Sequence, residues 1–264
     1  VSAAIARFKC AGKLPCAFPA AAGSVFDGLR WGMTKKEVIE AYTKPGGAID
    51  REYDPILARM QPGRAMSAKE AERDEKKRAF ESSFIAFKET PTGLDASPLR
   101  GEYTYRNRES LLSIDVEGGK KRYFFFIGAS PAERLWKVYE EVPVGDGTPL
   151  GRTYQDAVAS LSVYLAAPGR VRAIDEKDVL QTTVDWDDDK SRLRAVDRGV
   201  EHLVGIVLED KAILGALPQL RANKAEDVFA MDPSVQSVTQ NPPSDPNAEK
   251  KPDPAQGVGK PKKR

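Results

Sequence analysis

"DGLRWGMTKKEV", residues 27–38, and "DGTPLGRTYQDAV", residues 146–158, begin alike. Laid over one another, Asp27-Gly28 meets Asp146-Gly147, Gly32 meets Gly151, Thr34 meets Thr153 and Glu37 meets Asp156. The shared pattern is D-G-x-x-x-G-x-T-x-x-[E/D]. Thr34 and Glu37 have the spacing of a capping box, in which the N-cap hydroxyl and the acid three residues on satisfy two orphan helix donors. Met33 and Val38 stand where a hydrophobic staple would close. Neither copy has the Gly-Lys-Ser/Thr of a phosphate loop or the G-x-G-x-x-G of a dinucleotide fold. Both stretches therefore read as helix entrances.

The segments after the two entrances are also alike. The first helix runs from Thr34 to "KPGG", where Pro45 stops it. A second helix is expected over 67–82, opened by Ser67-x-x-Glu70 and charged almost throughout, as a solvated helix at the domain edge. Strands are expected at 101–105 ("GEYTY"), 110–116, 122–127 and 134–144, from their aromatic and β-branched content. "EGGK" joins the middle two as a hairpin. "YFFFI" is apolar on both alternating faces, as a central strand covered twice would be. The second half repeats the order, with a helix over 153–169 ending at Pro168-Gly169 and strands at 180–186, 191–197 and 202–210. Residues 212–222 read as a short helix or a strand extension.

The expected fold is thus α+β, two tandem helix-plus-antiparallel-sheet repeats over 26–144 and 145–231. An N-terminal arm, 1–25, precedes them. A Pro-rich tail with almost no apolar residues, 232–264, comes last and is expected to be disordered.

At this point the residues carry a resemblance. Gly32-Met33-Thr34-Lys35-Lys36-Glu37-Val38 resembles the G-M-[S/T]-x-x-[E/Q]-V helix entrance of the small outer-membrane lipoprotein family that includes BamE (SmpA/OmlA-like). Tandem helix-and-sheet copies are similar to the β-lactamase-inhibitor-protein fold. The resemblance covers the helix entrances and the element order. The family's Leu-Gly-x-Pro is here Tyr42-Thr43-Lys44-Pro45, without the glycine, and the second copy lacks the Met. Arg7-Phe8-Lys9 before Cys10 is no lipobox, so the lipid anchor is not carried over. The resemblance implies a protein of the cell envelope that grips partners with a sheet face.

Composition narrows the classes further. The 41 basic and 39 acidic side chains leave a net charge of only +2, short of the basic excess that nucleic-acid binding needs. No apolar run approaches the roughly 20 residues of a membrane span. The sequence begins at Val1, as after removal of a leader or after trimming. Cys10 and Cys16 are the only cysteines and enclose a short Gly/Pro loop, which suits a disulfide in an exported protein or, failing that, two free thiols in an arm.

Chemistry is hard to place. His202 is the only histidine and has no nucleophile context, so it reads as a surface or structural residue. Asp185, Asp187 and Asp189 have the spacing of a calcium loop, but Lys190 and Val196 stand where Gly and Glu are needed, and an Asp-rich hairpin turn is expected instead. No metal site and no cofactor are expected. Aromatics on strands, Tyr105, Phe125, Trp136, Tyr139 and Trp186, with Tyr103 beside them, are either packing between the repeats or anchors for a protein partner. The leading expectation is a non-enzymatic binding or scaffold protein, periplasmic or secreted. It has a protein partner, no nucleic acid and no transmembrane segment, and envelope association is open to it. A carboxylate-dependent hydrolase using Asp185 and Asp187 with Glu102 or Glu109 is the first alternative. A nucleic-acid-associated factor acting through the basic tail "KPKKR" is the second. If the aromatics are anchors, Trp136 or Trp186 is expected to stay partly exposed.

Overall fold

The computed structural model describes residues 29–88, 92–116, 120–129, 131–165, 167–172, 183–187 and 189–221. The chain divides into two compact units, Val1–Glu226 and Asp227–Arg264, and every described residue belongs to the first. The Cys10/Cys16 pair, the arm and the tail lie outside the described residues.

The Gly32–Glu37 stretch does what its spacing dictates. Gly32 takes φ +80°, then Thr34 caps α1 (Lys35–Thr43), with the reciprocal Glu37 bond to the Thr34 backbone N–H in place. Backbone bonds from Gly32 to Leu135 and from Leu135 to Met33 tie this entrance to the sheet. In the second copy Gly151 takes φ +98°. The Asp156 N–H donates to Thr153 Oγ1 at 3.2 Å, and Asp156 accepts from the Thr153 N–H at 3.1 Å. α4, Tyr154–Leu165, starts there.

Between α1 and the sheet lie two helices, one of which the sequence pattern does not announce. α2 (Ala48–Leu57) buries Ile49, Tyr53 and Leu57, one face at helical spacing. Pro55 and the surrounding charges conceal that stripe in the sequence. α3 spans Arg64–Ser82 and is capped by Gly63, so Ser67 sits in its first turn and is not the cap. The Ser67 N–H donates to the Gly63 carbonyl, and the helix begins one turn earlier than expected. α3 buries only Phe80 fully. Ion pairs also dock it, Lys77 to Asp50 at 2.5 Å and Lys76 to Glu52 at 2.7 Å.

The strands are β1 (Ile85–Ala86), β2 (Glu109–Val116), β3 (Lys120–Ile127), β4 (Arg134–Pro143), β5 (Arg170–Val171), β6 (Thr183–Asp187), β7 (Ser191–Arg198) and β8 (Leu203–Asp210). They form one eight-stranded sheet in the order β1-β2-β3-β4-β8-β7-β6-β5, with every pairing antiparallel. Each half of the chain runs from an outer edge to the centre, where β4 pairs with β8. The α+β class expected from the pattern is the class observed.

"GEYTY" is not a strand. Gly101 at φ +84° and Arg106 at φ +61° break the extended backbone, and the segment folds as turns. Residues 212–222 resolve in favour of a helix, α5 (Lys211–Leu220), capped by Asp210.

The sheet is covered on both faces. Leu112, Ile114, Phe124, Phe126, Leu135, Val138 and Leu208 pack under α1 to α4. Leu111, Phe125, Trp136, Tyr139 and Val207 form the second face, under Phe87, Leu99, Tyr103 and Leu217 of α5. β3 is buried on both sides, as "YFFFI" requires. A bulge opposite Phe125/Phe126 leaves Trp136 unpaired in the register, and it places the consecutive Trp136 and Lys137 on the same, second face.

Gly205, at the centre of β8, lets the two halves close. A Cβ there would lie 2.4 Å from the Tyr139 hydroxyl and 2.7 Å from its ring. Gly205→Ala is expected to lower stability by about 1–3 kcal/mol, the range for overpacking a filled core. Urea denaturation measures it, and an unchanged midpoint would mean that Tyr139 yields without cost.

Candidate functional site: a charge lattice on the second face

The second face carries charge where a sheet of this burial would carry apolar residues. The register sets it out. Lys137 of β4 pairs with Glu209 of β8, Glu209 with Arg192 of β7, and Arg192 with Asp187 of β6, one row of alternating sign across four strands. In the next row Arg194 pairs with Asp185 and Asp185 with Arg170. Alternation along each strand brings these side chains to one face.

A turn residue completes the lattice from above. Glu102 reaches down between the strands and accepts from Lys137 Nζ at 3.0 Å and from Arg194 at 2.7 Å. Lys137 also donates to the Glu102 backbone carbonyl. Arg194 continues to Glu209 at 3.1 Å, and Arg192 holds the other side of Glu209 at 2.7 Å. Toward the β5 side Arg172 meets Asp185 at 3.2 Å, and Arg170 pairs with Asp187. The Lys137 ammonium lies 4.5 Å from the Phe125 ring and 4.7 Å from the Trp136 ring, so the aromatics wall this charge rather than present themselves outward.

The electrostatics derive from burial. Desolvation alone would raise the Glu102 carboxyl, but the Arg194 and Lys137 charges beside it outweigh that and hold it well below the usual carboxylate range. Glu209 is lowered in the same manner, with Arg194, Lys137 and Arg192 overcoming its burial. Burial pushes the Arg194 guanidinium down, but Glu102 and Glu209 more than reverse this and raise it. A hydrolase general acid needs the opposite, a carboxyl kept protonated near neutral pH. Glu102 is fixed as an ion, and Asp185 and Asp187 each lie against an arginine.

The expected site residues divide between the two faces. Trp186, 3% exposed, belongs to the core under the helices, where its indole N–H donates to the Ala167 carbonyl at 3.0 Å. Gly169 gives it room, since a Cβ there would come within 2.7 Å of the ring. Phe125, Trp136 and Tyr139, none above 1% exposed, belong to the second face. Only Tyr105 is half-buried, with its hydroxyl accepting from the Thr92 N–H at 2.8 Å. The expectation that Trp136 or Trp186 stays partly exposed is therefore corrected. A sheet covered on both faces holds these strand aromatics away from any partner. Trp31, which strand reasoning passes over because it sits in the helix entrance, is half-buried, and its N–H donates to Ser191 Oγ at 3.0 Å.

Sequence reasoning also misses Lys137, Arg192, Arg194 and Glu209, although a signal for them exists. "SRLRAVD" alternates Arg192 and Arg194 with Leu193 and Ala195, and a strand buried on both faces must then bury its arginines. His202 is exposed in a left-handed turn before β8. Asp187 and Arg192 pair across the β6–β7 hairpin, as the Asp-rich turn implied. Among the described residues no group of three or more His, Cys, Asp or Glu is placed to hold a metal ion. No described helix is long and apolar enough to cross a membrane.

Compared with protein-family models, with curated proteins and with solved structures, the chain matches none of them.

The lattice has a pH signature. Glu102 is lowered in the folded state, so its stabilising effect is complete above the unfolded carboxyl value of 4.5 and is lost as pH falls below it. Glu209, Asp50 and Glu37 act in the same sense. Glu141 and Asp210, raised by burial, act in the opposite one. Glu102→Gln is expected to cost about 3–5 kcal/mol at pH 7, because it leaves Lys137 and Arg194 buried without that partner. The variant's stability should then fall less steeply than wild type between about pH 5 and pH 3. Parallel pH profiles for the two proteins would show that Glu102 is not the linked group.

Proposed function

We propose that this chain is a non-enzymatic binding or scaffold protein of the cell envelope or of the secreted space, contacting a protein partner along the β5 edge of its sheet. One observation carries the reading. The outermost strand β5 is Arg170–Val171, and Val171 is 70% exposed. Among the described residues it presents an unpaired strand edge between Arg170 and Arg172, whose acid partners Asp187 and Asp185 lie on β6. Such an edge takes an added strand, with backbone bonds giving affinity and flanking side chains giving selectivity.

The chemistry of the second face supports the same reading. The carboxylates of its charge lattice are ion-paired and its aromatics serve as walls, while Glu141, raised by burial, is held by the Tyr123 hydroxyl at 3.0 Å. The assignment to the envelope rests on the likeness of the helix entrance to the BamE-type family. The two capped entrances at Thr34 and Thr153, and a strand order that mirrors about β4 and β8, support a tandem duplication over 26–144 and 145–231.

Val171→Asp places a charge on the edge without touching the core. Capture of a partner from envelope fractions by the full chain is expected to be lost in this variant. Val200→Asp, at a site 93% exposed on a turn, is expected to leave capture intact. Both should keep the wild-type melting temperature. A protein captured equally by all three chains would remove β5 from the reading.

A further inference from the structure

We infer that α3 is a releasable strap, a helix clasped to α2 by charge that lifts from it while the sheet stays folded. Its sidedness motivates this. A permanently docked helix turns an apolar stripe to what it covers and its charges to water. In α3 the half-buried positions include Lys69, Arg73, Lys76 and Lys77, while Ala65, Ala68, Ala71 and Ala79 are exposed. Over 19 residues the helix fully buries one side chain, Phe80, whereas α2 buries four over ten and α4 four over twelve.

Charged side chains make the clasp. Lys77 reaches Asp50 at 2.5 Å, Arg73 lies 3.6 Å from the same carboxylate, and Lys76 holds Glu52 at 2.7 Å. The Tyr53 hydroxyl donates to Glu72 at 3.0 Å, and the Lys69 and Lys76 ammonium groups lie 5.2 Å and 5.8 Å from the Tyr53 ring. Met66 adds a half-buried apolar contact near the start of the helix. Salt weakens ion pairs, most of all those whose partners reach water. Glu52 keeps 32% of its side chain exposed and Asp50 only 10%, so salt loosens the first pair more readily than the second.

The two ends of α3 differ. Phe80 packs against Tyr42 and Phe124, with ring centroids at 4.9 Å and 5.8 Å. Ser83, just beyond, accepts from the Ser113 N–H of β2 at 2.9 Å. This end is fixed to the sheet. At the other end Gln61, Pro62, Gly63 and Arg64 are exposed, and Gly63 takes φ +154° with open space around it. Residues 58–63 join α2 to α3, and six residues reach up to about 20 Å when extended, which leaves α3 room to lift about Phe80. Opening bares Tyr53, a buried ring of α2 beside Asp50 and Glu52. The strap thereby gates an acidic, aromatic patch.

Spin labels at Asp54→Cys on α2 and Ala68→Cys on α3, both exposed positions, report the separation by pulsed electron–electron double resonance in the full-length chain carrying Cys10→Ser and Cys16→Ser. One short distance is expected at about 0.01 M salt. At about 1 M, where charges are screened within about 3 Å, a second population longer by about 5 Å, half a helix diameter, is expected. Lys76→Gln/Lys77→Gln removes the exposed and the buried pair together and is expected to open the strap at low salt. Trp31, Trp136 and Trp186 lie outside α2 and α3, so their emission reports the rest of the fold and should not shift. Lengthening in either arm with unchanged emission supports the strap. Lengthening that comes only with an emission shift is global unfolding and overturns it, as does one unchanged distance in both arms. If the double variant fails to fold, the salt arm decides.

Discussion

The pairing of β4 with β8 is the constraint on which the rest of the structure depends. It runs antiparallel from Lys137 opposite Glu209 to Pro143 opposite Leu203. Each half of the chain ends its run of strands there, so this ladder alone turns two meanders into one sheet. Its side chains are fitted across the seam. The Tyr139 ring lies over Gly205, and Val138 and Leu208 fill the helix side from opposite strands. Shifting one of these strands by one residue would move its member of the Lys137–Glu209 pair from the lattice into the core beneath the helices.

Buried charge fixes strand register on both faces of the sheet. Beneath the helices Arg122, fully buried, bonds Glu140 directly opposite it at 2.9 Å and the Tyr42 hydroxyl of α1 at 2.7 Å. One guanidinium thus positions a helix relative to a strand pair. On the other face Glu102 ties the 99–106 turns to both halves of the sheet, through Lys137 of β4 and Arg194 of β7. Taking such ions out of water costs much of what their attraction returns. They add little net stability over apolar residues of the same size, but any other pairing would leave one of them buried alone. The arrangement is a means of selecting one fold.

The legibility of each element tracks how local its causes are. The helix entrances at Thr34 and Thr153 are readable because a capping box is made by residues three apart. The β2–β3 hairpin is readable from "EGGK" for the same reason. α2 is not, since Ile49, Tyr53 and Leu57 announce a helix only when the Pro55 between them is known to be tolerated by the packing. "GEYTY" misleads because strand composition says nothing of a partner, and here Tyr103 stacks on Phe87 at 4.1 Å instead of pairing with a strand. Ser67 misleads because the capping pattern is short and recurs inside a helix that starts elsewhere.

The candidate site shows the same division. Tyr105, Phe125, Trp136, Tyr139 and Trp186 can be named from the sequence as strand aromatics, but which face each joins, and whether anything covers that face, depends on contacts between distant segments. The alternation of Arg192 and Arg194 is local. Its meaning, a lattice closed by Glu102 from far along the chain, is not. By itself the sequence determined an α+β chain with two like helix entrances, a doubly buried β3 and a nearly balanced charge, because periodicity, capping and composition act over a few residues. Only the tertiary structure decided that both sheet faces are covered, that the aromatics are walls and that the charges form one network, because burial is a property of surfaces brought together by folding.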